Sequence, residues 1–156
     1  MANYPSNYAY SFFDVVATIS GPGGSGTLSD GGVANEGISV EFNERVTTQY
    51  GADGNWIHVL HAAKGGRVTI RLMKNGLANA LLNGIFDFDT SSSANTGQNV
   101  ITVVNPVTGD SWTAIGCAGV KKPNVSYATE ATSLEWVFNA GIIDGVFGSG
   151  HPAITG

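Results

Sequence analysis

Short runs of two-residue alternation, closed repeatedly by glycine-bearing turns, commit most of this chain to antiparallel sheet. From Ile38 to Gln49, Ile38, Val40, Phe42 and Val46 share one face, and Ser39, Glu41, Asn43, Arg45 and Thr47 share the other. This pattern predicts a strand with one buried and one wet face. Glu44 falls on the apolar side and marks a bulge or an edge. Arg67 to Met73 alternates in the same way, with Val68, Ile70 and Leu72 inward and Arg67, Thr69 and Arg71 outward. Tyr10–Ile19, Trp56–Ala62, Val100–Val104, Ser111–Val120, Asn124–Thr129 and Leu134–Asn139 read as further strands. Turn chemistry at Gly51–Gly54, Lys64–Gly66, Asn105-Pro106 and Gly109-Asp110, together with Pro123, separates them. Two hairpins in series between Ile38 and Met73 are expected to form a meander.

One segment changes period. Leu77, Ala80, Leu81, Gly84, Ile85 and Phe88 recur at helical spacing and predict one helix with a single apolar stripe. Asn75 is placed to cap its start, and Asp87, Asp89 and the polar run Thr90–Gly97 end it. The expected fold is mainly β: one domain over residues 1–156, an antiparallel β-barrel or sandwich with one α-helix laid across it. Residues 20–37 form a long glycine-rich loop in this reading, too poor in apolar residues to pack by itself. Loops of that length are usually functional or disordered. Residues 149–156 are expected to be a flexible tail.

Charge now matters. Only 12% of the 156 residues are charged, against roughly twice that in an ordinary soluble domain. A domain this small needs charge to cover its surface, so much of that surface is expected to be covered by protein, most simply by copies of the same chain. The net charge of −5 argues against tight nucleic-acid binding, which needs Lys and Arg to displace counterions. Cys117 is the one cysteine, which excludes an intramolecular disulfide. Met1–Ser11 has neither a basic region nor an apolar core, so no signal peptide is expected, and no apolar run reaches the ~20 residues of a membrane span.

Catalytic and ligand-binding chemistry finds little support. Gly21–Gly26 matches G-x-G-x-x-G, but no helical stripe follows to hold a pyrophosphate. His58 and His61 point to opposite faces of a strand, and His151 lies in the tail, so no metal site is expected. The serines lack a nucleophile elbow, and Cys117 reads as a small buried residue. Asp87 and Asp89 read as solvated acids at a helix end. Trp56, Trp112 and Trp136 could line a sugar-binding face, with core packing as the default. No catalytic, metal or cofactor residue is assigned, and the chain is not expected to be an enzyme.

Longer strings carry more information. Tyr10–Val15, Ile19–Gly24, Asn35–Ile38, Gly51–Gly54, His58–His61 and Gly66–Lys74 resemble, in order, the tail tube proteins of contractile-tailed bacteriophages. The likeness continues through Asn99–Val103, Gly109-Asp110, Lys122-Pro123, Tyr127-Ala128, Glu135–Phe138, Ile143-Asp144 and Gly148. The tube fold is similar to the ring-forming hemolysin-coregulated protein of type VI secretion. This resemblance implies a structural virion protein whose partners are itself, in stacked hexameric rings, and the sheath, baseplate and tail-terminator proteins. It implies a DNA conduit without specific DNA binding, no cofactor, no membrane, and assembly in the host bacterial cytoplasm. A baseplate or tube-initiator subunit of the same fold is the alternative, and a carbohydrate-binding β-sandwich is the alternative from another class. Ser39, Glu41, Asn43, Arg45 and Thr47 are the candidate lumen-facing residues, with Arg45 held near a carboxylate. Gly21, Pro22, Gly23, Gly24, Gly26, Leu28, Asp30, Gly31 and Gly32 are the candidate inter-subunit loop, expected to order on assembly.

Overall fold

The computed structural model describes residues 10–29 and 32–148. Asp30, Gly31 and the tail from residue 149 lie outside the described residues. After a 3-10 turn at Phe12–Asp14 come β1 (Val16–Gly21), β2 (Gly24–Thr27), β3 (Val33–Phe42), β4 (Val46–Tyr50), β5 (Trp56–Leu60) and β6 (Gly66–Leu72). Helix α1 (Ala78–Thr90) follows, then β7 (Asn99–Asn105), β8 (Asp110–Gly119), β9 (Leu134–Ala140) and β10 (Ile142–Val146). Eight of the strands form one antiparallel sheet in the order β2-β1-β7-β8-β9-β6-β3, with β10 added on β8. β4 and β5 pair only with each other.

The long sheet curls into a half-barrel, and two glycines make its corner. The first half of β8 pairs with β7 and β10, and its end pairs with β9. Between the two halves Gly116 adopts φ +70°, where the β7–β8 register shifts. Gly141, the single residue between β9 and β10, lies against it: a Cβ on Gly116 would stand 3.9 Å from the Gly141 Cα. Both strands therefore bend together, as strands that turn a sheet corner through a bulge do.

The alternation places the core. Val68, Ile70 and Leu72 of β6 face Trp136 and Phe138 of β9, Ala17 and Ile19 of β1, and Ile101 of β7, all buried. Ala78, Leu82 and Ile85 of α1 close one end of this cluster. Each fully buried Leu, Ile or Phe contributes about 1.5–3 kcal/mol of burial.

Several sequence expectations need correction. The run Ile38–Gln49 is two strands. β3 leaves the sheet where its partner β6 begins: Phe42 pairs with Gly66, the Asn43 amide donates to the Gly65 carbonyl at 3.0 Å, and the Lys64 carbonyl accepts from the Ile143 amide at 2.9 Å instead. β4 then folds onto β5 through Asp53-Gly54, with Gly54 at φ +88°. There is no meander, since β6 pairs with β3 and β9. Helix α1 begins with Leu77 in the cap position and no side-chain cap. Asn79, not Asn75, secures this end: its amide donates to the Met73 carbonyl at 2.9 Å, and its Oδ1 accepts from Trp136 Nε1 at 3.0 Å. Asp89 is buried at the far end, where Asn99 Nδ2 donates to its carboxylate; only Asp87 is solvated, paired with Lys122 at 2.8 Å. Asn124–Thr129 forms no strand. Lys122 fixes one end of that segment on α1, and Lys74 fixes the other, lying 3.9 Å over the Tyr127 ring and donating to the Ser126 carbonyl.

The glycine-rich stretch 20–37 is not a free loop: its first half is the β1–β2 hairpin, and residues from Val33 on belong to β3. Gly21, Pro22, Gly23, Gly24 and Gly26 build the β1–β2 hairpin, and Leu28 behind it is 0% exposed. Glycine serves close approach here: a Cβ on Gly23 would stand 2.9 Å from Phe88 Cβ and 3.2 Å from the Ile85 backbone. Gly32 has φ +88° and passes against Gly76. Gly23→Val is expected to cost about 1–3 kcal/mol, because the hairpin must lift off the helix. Urea denaturation checks it; an unchanged midpoint would contradict this packing.

Candidate assembly interface

The β4–β5 hairpin carries a run of uncovered apolar side chains. Its register, Val46↔Leu60, Thr48↔His58 and Tyr50↔Trp56, puts these six side chains on one face. Tyr50 is 76%, Trp56 64% and Leu60 72% exposed, and Ile57 is exposed on the other face. Asp53 is the one charged residue between Val46 and Leu60. The expectation that Trp56 packs in the core is thus corrected, while Trp136 is buried and Trp112 half-buried.

The hairpin is nevertheless ordered from within. Thr48 Oγ1 and His58 Nδ1 are hydrogen-bonded at 2.8 Å, and Thr47 Oγ1 and His61 Nε2 at 2.9 Å. Arg45 Nε donates to the His61 carbonyl at 2.9 Å, closing the base. Arg45 therefore has a carbonyl partner, and among the described residues it makes no ion pair, contrary to the carboxylate expected for it. The hairpin is a preformed arm with an uncovered apolar face.

A second surface is the side of β3, β6 and β9 that faces away from the core. Ser39 and Glu41 lie there, opposite Thr69 and Arg67. Val137, Asn139 and Glu135 lie opposite Thr69, Arg67 and Arg71 on the other flank. Of the five candidate lumen residues, Ser39 and Glu41 belong to this sheet, Asn43 and Arg45 lie in the link to the arm, and Thr47 is on β4. The sheet also ends in two edge strands, β2 and β3, each paired on one side only among the described residues. Edges of this kind invite pairing with another chain.

No group of three metal-ligating side chains occurs among the described residues, and no described helix is long and apolar enough to cross a membrane. The G-x-G-x-x-G run is a turn leading into β2, with no helix at its last glycine. Cys117 is 0% exposed, and burial pushes its thiol up from 9.0 to about 11. Below pH 9 the thiol is protonated in both native and unfolded chains. Between pH 9 and about 11 the unfolded chain loses the proton first, so stability falls as pH rises through this window. Cys117→Ala should flatten that slope in thermal melts; an equal slope would contradict the assignment.

Comparison with known proteins fits this picture of an assembly subunit. The protein-family model described as the bacteriophage PhiTE tail tube protein matches residues 8–148. No curated protein matches the sequence. Among solved structures, the sheath-tube complex of the extracellular contractile injection system PVC aligns with a TM-score of 0.56 at 14% identity, covering 91% of this chain and 94% of the other. The tube-terminating cap of the anti-feeding prophage aligns with a TM-score of 0.55 at 11% identity, covering 94% and 96%. The PVC sheath/tube terminator aligns at 0.52 and 14% identity, covering 89% and 97%. At these identities the structures establish a shared fold, and the family match carries the assignment: this chain is a structural component of a tail, not an enzyme, and it belongs to the bacteriophage PhiTE tail tube protein family.

Proposed function

We propose that copies of this chain associate into stacked rings, hexameric as in the tube fold it resembles, and that the stack is the DNA conduit of a phage tail. The observation that carries this reading is the β4–β5 arm, which among the described residues pairs with no other strand and keeps Val46, Tyr50, Trp56 and Leu60 uncovered. In a stack the arm lies on a neighbouring copy. The unpaired edges of β2 and β3 join strands of adjacent subunits, closing the half-barrels into a ring. The polar side of β3, β6 and β9, with Ser39 and Glu41, then lines the bore, and Asn43, Arg45 and Thr47 continue from it toward the arm. The β1–β2 hairpin, seated on α1, contacts neighbours as a rigid unit. Sheath, baseplate and tail-terminator proteins are the further partners, and the subunits assemble in the host cytoplasm.

A baseplate or tube-initiating role is the second reading, favoured by the likeness to an anti-feeding prophage baseplate structure, with a TM-score of 0.54. Sedimentation of the purified chain separates the two. Open-ended growth of the polymer with concentration is the tube outcome, and one discrete ring is the initiator outcome. A strict monomer at high micromolar concentration contradicts both.

A further inference from the structure

We infer that the polar side of β3, β6 and β9 is a self-neutralised wall, built to let a polyanion pass without gripping or repelling it. The inference rests on the proposed reading of that side as the bore. Its charges are Glu41 on β3, Arg67 and Arg71 on β6, and Glu135 on β9, two of each sign. The register sets each arginine directly across from a glutamate: Arg67 opposite Glu41, and Arg71 opposite Glu135. Opposite charges in facing positions are favourable cross-strand pairs.

Arg71 is held most firmly. Its Nη1 donates to Ser39 Oγ at 2.7 Å on one side, and its Nε lies 3.6 Å from Glu135 Oε2 on the other, so one guanidinium spans all three strands. Thr69, between the two arginines, is buried, which places the flanking side chains across the sheet rather than standing off it. Arg67 borders a groove of about 380 Å³ shared with Glu135, Val137 and Lys121; Lys121 adds one positive charge at the rim of the wall, its ammonium donating to Asn124 Oδ1 at 3.3 Å. A phosphate approaching this wall meets Arg71 beside the Glu135 carboxylate, and Arg67 on the strand position that faces Glu41, without an ion pair between those two. Attraction and repulsion cancel within a few ångströms, well inside a Debye length of about 8 Å. An all-acidic wall would repel the backbone at long range, and an all-basic one would bind it.

The test is duplex DNA binding by the purified full-length chain, followed by anisotropy of a short fluorescent duplex in low salt. The wild-type chain should show weak binding with a shallow salt dependence. The double variant Glu41→Gln, Glu135→Gln keeps the side-chain shapes and frees two guanidinium groups. It should bind about tenfold tighter or more, with log affinity falling against log salt at a slope near −1.8, or about −0.9 for each phosphate engaged. Adding Arg67→Gln and Arg71→Gln should return binding to the wild-type level, which assigns the gain to these two arginines. Unchanged binding by the double variant overturns the inference, as does tight, steeply salt-dependent binding by the wild type. Electron microscopy of the same samples keeps the two readings apart. Tubes with unchanged DNA binding sink only the neutral wall, whereas failure of the wild type to assemble sinks the tube reading.

Discussion

Replacing Tyr50 and Trp56 together with Asp should abolish assembly while leaving the subunit folded. Both side chains are largely exposed in the single chain, so their removal leaves the core untouched; two aspartates directly opposite each other weaken the hairpin locally, by about 1 kcal/mol. Their cross-strand pairing survives as a backbone register, and the Thr48–His58 and Thr47–His61 hydrogen bonds still hold the arm together. Assembly is another matter. Buried aromatic anchors are typical hot spots worth about 2 kcal/mol or more each, or roughly 30-fold in affinity. A carboxylate at the same place must also be desolvated without a partner. Every contact in a stack repeats the loss, so polymer should disappear at concentrations where the wild type is fully assembled. Circular dichroism and thermal melts check the fold, and sedimentation checks assembly. Normal polymer formation by the variant would remove the arm from the interface.

Leu28→Ala should have the opposite signature, a large loss of stability in the isolated subunit. Leu28 is 0% exposed and belongs to the core cluster, with its amide donating to the Ala17 carbonyl at 2.7 Å. Truncating a buried leucine costs about 2–5 kcal/mol. At about 2–4 °C per kcal/mol for a chain of this size, the melting temperature should drop by about 4–20 °C. A residue in a mobile surface loop would shift it by no more than about 2 °C. The measurement therefore decides between a loop that orders only on assembly and a hairpin already seated in the monomer.

The reason this hairpin escaped the sequence is physical. Periodicity is read from side chains, and Gly24-Ser-Gly-Thr27 has almost none to read. The same glycines that looked like flexibility provide the close approach of β1–β2 to Phe88, Ile85 and Leu81. Where side chains do alternate, the sequence was a good guide. Ser39 and Glu41, and Arg67 and Arg71, lie on the sides their spacing predicts. The helical stripe was misplaced: of Leu77, Ala80, Leu81, Gly84, Ile85 and Phe88 only Ile85 is buried, and the buried side of α1 is Ala78, Leu82, Ile85 and Asp89. Spacing does not say which strand pairs with which. The break at Asn43 depends on where β6 begins, a long-range fact that Ile38–Gln49 does not carry, and the inward turn of Asp89 depends on Asn99 ten residues later. The arm did leave one local trace: fifteen residues from Val46 to Leu60 with a single charge and with large apolar side chains on both faces, Tyr50, Trp56 and Leu60 on one and Ile57 and Val59 on the other, a pattern that no strand of a monomeric half-buried sheet requires. The family resemblance, carried by strings spread along the chain, was visible throughout and agrees with the match over residues 8–148.

Negative-stain electron microscopy of the purified chain, at high micromolar concentration and with no added cofactor or partner, tests the central claim most directly. The account predicts rings stacked into hollow tubes, lost in the Tyr50→Asp, Trp56→Asp variant. A field of single, separate subunits from the wild-type chain would contradict it.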